Sequence, residues 1–145
     1  MTDNLFNIPR SFRMMKERGW DKLYWAVDLH DTICPADYIH PFTHYYPYAK
    51  EVLQDLSSSH DSCLILFTSS FEAEINHVTD LLALDGIAFD YINENPEAQN
   101  TRHGDFSKKF YFNILLDDKA GFNGETDWQK IHQLLKCPDT FINHS

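Results

Sequence analysis

Three segments of this chain end on side chains suited to polar chemistry: Asp28, then Thr68-Ser69-Ser70, then Asp117-Asp118, with Lys108-Lys109 shortly before the last pair. Two carboxylates from separate segments can share a hard cation such as Mg²⁺, which takes oxygen ligands and keeps several waters. A metal and a lysine together neutralise the charge of a transferring phosphoryl group. The Thr68 hydroxyl can donate to a phosphoryl oxygen, and Asp28 can attack phosphorus to form an aspartyl-phosphate. Taken singly, each has an ordinary reading: an Asp at a turn, a Ser that caps a helix, a solvated lysine pair, a loop start. Their order along the chain is what joins them.

The elements that must position these groups are legible from pattern. Leu23 to Val27 is a short apolar run that ends on Asp28, and Cys63 to Phe67 is a second that ends on Thr68. Continuous apolar runs of this length fit buried parallel strands. Ile87 to Ile92 and Phe110 to Leu116 are a third and a fourth strand candidate, the fourth ending on Asp117. Helical spacing appears over Tyr48–Leu56, from about Glu72 to Leu84 where Asp85-Gly86 closes it, and over Trp128–Leu135 after a Thr126-Asp127 cap. Strands that alternate with helices predict a three-layer α/β sandwich, a doubly wound, mostly parallel sheet with helices on both faces. In such sheets ligands bind at the carboxyl ends of the strands, where Asp28, Thr68 and Asp117 stand. Residues 1–20 read as a lead-in with a short helix around Met14 and Met15 broken by Gly19, and residues 21–145 as one domain.

Val27-Asp28-Leu29-His30-Asp31-Thr32-Ile33 resembles the first motif of the haloacid-dehalogenase-like (HAD) phosphohydrolase superfamily, an apolar strand followed by DxDGT. Leu64 to Ser69 resembles its second motif, Lys109 stands eight residues before Asp117 like the third-motif lysine of small members, and Ile114 to Asp118 resembles the fourth. The order spans residues 23 to 122. The resemblance implies a HAD-like Rossmannoid fold without an inserted cap domain and a Mg²⁺-dependent phosphomonoesterase. It implies Asp28 as nucleophile and metal ligand, and the backbone carbonyl of His30 as a second ligand. Thr68 and Ser69 would sit at the phosphoryl group, Lys109 would hold its charge, and Asp117 and Asp118 would complete the metal site. A capless cleft is open, and the resemblance admits a second copy of the chain as its lid. Response-regulator receivers share the acidic pocket but place the hydroxyl and the lysine after the acidic pair, the reverse of the order here.

Two positions depart from the motif: His30 stands where the acid/base Asp is usual, and Asp31 where Gly is usual. Imidazole titrates near neutrality and can protonate a leaving oxygen or activate water, so one reading is a phosphatase with His30 as acid/base. The other is a degenerate domain that binds a phosphorylated ligand or a protein partner without turnover. His40 and His44, with His30, have the residue types of a transition-metal site, but Pro41 and the surrounding aromatics favour packing. Residues Asp37 to Tyr48 read as the loop that covers the site, and Asn93 to Pro96 as a loop at its border, with Arg102 and His103 the nearest basic groups.

Composition sets the outer limits. At 145 residues and 43% hydrophobic content the chain can bury a core of its own. Acidic residues exceed basic ones by 22 to 12, a formal net charge of −10, which argues against nucleic acid polymers and anionic membranes as partners. A small phosphorylated substrate, such as a nucleotide or sugar phosphate, remains. Cys34, Cys63 and Cys137, an odd number without CxxC spacing, predict a reducing, cytoplasmic setting.

Overall fold

In the computed structural model, which describes residues 6–37, 39 and 42–137, four helices and four strands follow one another in the chain. They are α1 (Ile8–Arg18), β1 (Leu23–Asp28), α2 (Ala49–Ser58), β2 (Ser62–Phe67), α3 (Glu72–Leu84), β3 (Tyr91–Ile92), β4 (Ile114–Leu116) and α4 (Asp127–Lys136), with one 3₁₀ turn (Asp118–Ala120) after β4. The strands form one parallel sheet in the order β3-β2-β1-β4. The chain runs outward from β1 to β2 and β3 and then crosses back to add β4 on the other side of β1, so the sheet is doubly wound and its switch point lies between β1 and β4. At such a point the flanking loops diverge and open a crevice beyond the strand ends. Asp28 and Asp117 lie at its two lips.

Strand periodicity divides the core. Leu23, Trp25 and Val27 face one side with Leu64, Leu66, Ile114 and Leu116, and these pack with residues of all four helices into one buried cluster. Tyr24, Ala26 and Asp28 face the other side with Cys63, Ile65 and Phe67. That face is covered by the irregular segment from residue 93 to 113. Tyr111 packs edge-on to Tyr24, Phe110 edge-on to Phe67, and Glu97 accepts hydrogen bonds from Tyr24 and Lys22. The three layers are therefore helices, sheet and irregular chain, where helices on both faces are expected from the alternating pattern.

The two outer strands are shorter than their apolar runs predict, because side chains take over the ladder. Leu64 donates its N–H to Asp90 Oδ2, and Thr68 donates its N–H to Asn93 Oδ1, on either side of the two-residue β3. Asn113 does the same for β4, accepting the N–H of Tyr24 on Oδ1 while its own N–H bonds the Tyr24 carbonyl. The aromatic run before Asn113 reads as strand by residue type, but its rings build the third layer instead.

The N-terminal segment also differs from a lead-in. Residues Ile8 to Arg18 form an eleven-residue helix that starts with Pro9 in its first turn and stops at Gly19 in the left-handed region, φ +67°. Ile8 and Phe12 are buried, and Phe12 meets the Trp25 ring edge-on. This helix is part of the core. No helix among the described residues is long and apolar enough to cross a membrane, and no disulfide joins the three cysteines.

Candidate functional site

A cleft of about 700 Å³ opens at the carboxyl ends of β1, β2 and β4. Asp28, His30, Thr68, Ser69, Asp117 and Asp118, all singled out by sequence, line it together. One carboxylate oxygen each from Asp28, Asp117 and Asp118 lies within 4.8 Å of the other two. Parallel pairing of β1 with β4 accounts for this: Val27 registers with Leu116, so the residues that follow each leave the sheet side by side.

Thr32 ties the two strand ends together. Its hydroxyl donates to Asp28 Oδ2 at 3.0 Å and accepts the Asp118 N–H at 3.0 Å. Its carbonyl accepts the indole N–H of the buried Trp128 at 2.7 Å, which anchors the turn to α4. Thr32 is fully buried; its bond to Trp128 is made away from water, and the two to Asp28 and Asp118 are part-buried at the cleft floor, where an unpaired group is still costly. Asp117 caps the 3₁₀ turn, accepting the Lys119 N–H, and so faces the cleft from a fixed backbone.

Asp31 stands where the resemblance expects glycine, and its φ of +62° lies in the left-handed region, which favours glycine and admits Asp at modest cost. Its carboxylate accepts the Ala36 N–H, which closes the turn after β1.

On the β2 side, Thr68 is held by backbone and side chain. Asn93 accepts its N–H and donates Nδ2–H to its carbonyl at 2.8 Å. The Thr68 hydroxyl donates to Ser70 Oγ and accepts the Ser70 N–H. The Asn93 loop, read from sequence as bordering the site, thus fixes its hydroxyl wall. His30 meets Glu74, in the first turn of α3, with Nε2 3.2 Å from Oε2, while its Nδ1 is buried with no hydrogen-bond partner. Burial pushes the Glu74 carboxyl up, but hydrogen bonds from Ser70 and His30 outweigh it and leave the group below its ordinary value.

The electrostatics are lopsided. Five carboxylates (Asp28, Asp31, Glu74, Asp117, Asp118) line the cleft against Lys119 and His30. Burial, a carboxyl–carboxyl hydrogen bond with Asp118 and repulsion from Asp117 push Asp28 up from 3.8 to about 7.

The lysines fall differently from the sequence expectation. Lys109 is exposed, with its ammonium 5.9 Å from the Phe112 ring centroid, and is not among the described residues that line the cleft. Lys108 lines a separate depression with Asn95 and Phe106. Lys119, just past the acidic pair, lines the cleft instead. The motif spacing points to a lysine upstream of β4, whereas the lysine that lines the cleft stands in the capped turn downstream of it. Glu74 and Thr32 were also missed. The signal for Glu74 was its first-turn position on α3, four residues after Ser70, and for Thr32 its place in the first motif.

The aromatic loop does not cover the cleft in its described part. Tyr45 donates to Asp85, Phe42 packs edge-on to Tyr45, and Tyr48 packs on His132. None of residues 42–48 lines the cleft. Of the His30, His40 and His44 trio, His40 lies outside the described residues, and His44 bonds Thr43. Arg102 and His103 are exposed and do not line the cleft either.

No family model matches the chain, and no curated protein matches it. Among solved structures it is similar to a conserved protein coded by a locus of Bacteroides thetaiotaomicron, at 25% sequence identity and a TM-score of 0.62, over 86% of this chain and 98% of that one. The likeness extends over nearly all of that protein and agrees with the α/β fold described here.

Proposed function

We propose that the chain is a divalent-cation-dependent phosphohydrolase that acts on small phosphomonoesters through Asp28. One observation carries the reading: three carboxylates from two neighbouring strand ends converge at the switch point of a parallel sheet, opposite a hydroxyl wall. The donor set fits a hard cation, since every side-chain ligand is a carboxylate oxygen and the cluster is open to water on the cleft side. Asp28, Asp117 and Asp118 would hold Mg²⁺, with the His30 carbonyl as the further ligand that the HAD resemblance implies. Bound there, the ion would offset the negative charge of the phosphoryl oxygens.

The chain's own groups divide the remaining work. The Asp28 carboxylate attacks phosphorus, and the ester P–O bond breaks as the P–O bond to Asp28 forms. The leaving oxygen takes a proton from the His30 imidazolium. Water then attacks the aspartyl-phosphate, His30 accepts the water proton, and phosphate departs from a regenerated Asp28. Ser69 donates to a phosphoryl oxygen, Thr68 does so by turning its hydroxyl proton from Ser70 Oγ, and Lys119 takes the charge role that the motif spacing gives to Lys109. Both proton steps run through His30 Nε2, which must turn from Glu74 toward the ester, since Nδ1 is buried. Three cysteines without a disulfide suit a cytoplasmic setting.

A second reading, binding without turnover, is favoured by one observation: Nε2 of His30 is engaged by Glu74 and Nδ1 is buried. Steady-state hydrolysis of a panel of phosphomonoesters separates the two. The enzyme reading expects Mg²⁺-dependent turnover that falls at least about a thousandfold in Asp28→Asn. No Asp28-dependent turnover on the panel, with phosphate-ester binding retained, establishes the second.

A further inference from the structure

The cleft is larger than its chemistry requires. About 700 Å³ lies within the ~300–1,000 Å³ of clefts that enclose whole small molecules, while a phosphoryl group and a cation take up only the carboxylate end. The remaining wall is apolar: Phe67, Phe71 and Ala36. Phe67 is 37% exposed, and its ring is braced edge-on by Phe110 at 5.7 Å, so it presents a fixed surface. Phe71, the residue that precedes α3, is 89% exposed. Large aromatics gain most from being covered by another flat ring, through buried area and offset or edge-on packing.

Charge narrows the choice further. With Asp28, Asp117 and Asp118 assigned to the cation, Asp31 and Glu74 still line the cleft, and His30 is already paired with Glu74. A second anionic group on the substrate would meet like charge with only Lys119 to offset it. We infer that the substrate is a monoester of an uncharged alcohol bearing a flat aromatic ring, which lies against Phe67 and Phe71. This rests on the phosphohydrolase reading and names the substrate class of the same site.

Three primary alkyl phosphates separate the contributions: ethyl phosphate, benzyl phosphate, which adds a ring, and phosphoglycolate, which adds a carboxylate. With the full chain and Mg²⁺, kcat/KM for benzyl phosphate is expected to exceed that for ethyl phosphate by about tenfold, mainly through KM, and phosphoglycolate to fall about tenfold below it. Phe71→Ser, at a position open to solvent, is expected to bring the benzyl-to-ethyl ratio close to one, and Phe67→Ala to lower it. A benzyl-to-ethyl ratio near one in the wild type, a ratio that survives both substitutions, or phosphoglycolate turned over as well as ethyl phosphate overturns the inference while leaving the phosphohydrolase intact. Absence of Asp28-dependent turnover on all three esters removes the reading beneath, and the inference with it.

Discussion

The acidic cleft makes a definite prediction about stability and pH. Asp28 titrates at about 7 in the folded protein against an ordinary value of 3.8, so the folded state binds its proton more tightly than the unfolded chain does. That contribution to stability is fully present below pH 3.8 and is lost as pH rises through about 7. The shift of roughly three units corresponds to about 4 kcal/mol, and solvent screening in a half-buried cleft reduces it to about 2 kcal/mol. For a chain of this length that is a drop of about 4–8 °C in Tm between pH 3.8 and about pH 8 without divalent cations. Asp28→Asn removes the proton dependence, so the variant should be more stable than the wild type by about 2 kcal/mol near pH 8, with the gap narrowing as pH falls and closing only below pH 3.8. Millimolar Mg²⁺ should restore the wild type near pH 8, by about 2.7 kcal/mol at a hundredfold excess over Kd, and do little at acid pH. Urea unfolding of both proteins with chelator or with Mg²⁺ measures each term. Parallel pH profiles for the two proteins would refute the reasoning, as would a wild type that gains on the variant toward alkaline pH.

Two more predictions concern the groups around the carboxylates. Thr32→Val removes the hydroxyl that bonds Asp28 and receives the Asp118 N–H; unfolding should show a loss of about 1–3 kcal/mol from the stranded buried groups, and Mg²⁺ titration a weaker site. Lys119→Ala should lower kcat/KM at least about tenfold, whereas Lys109→Ala, whose amine stands over Phe112 outside the cleft, should change it less than about twofold; the opposite ranking would return the role to Lys109.

What the sequence determined by itself was mostly local. Leu23 to Asp28 and Cys63 to Phe67 read as buried strands because burial on both faces leaves an unbroken apolar run. The polar residue at the end of each run marked where the chain leaves the sheet, and Asp28, Thr68 and Asp117 were legible as a site for that reason. Tertiary structure decided matters that depend on partners remote in sequence. The run from Phe110 to Asn113 has the composition of a strand, yet its rings pack across the sheet on Tyr24 and Phe67 while Asn113 completes the ladder with its amide. Ile8 and Phe12 gain their role only when Trp25 is present to meet them. The placement of Lys119 at the cleft follows from the turn that Asp117 caps after β4, and the pairing of His30 with Glu74 follows from where α3 begins over the sheet. Residue type and period report how one segment meets its surroundings. Which groups meet one another is set by the parallel register of β1 with β2 and β4, and only the folded chain holds that register.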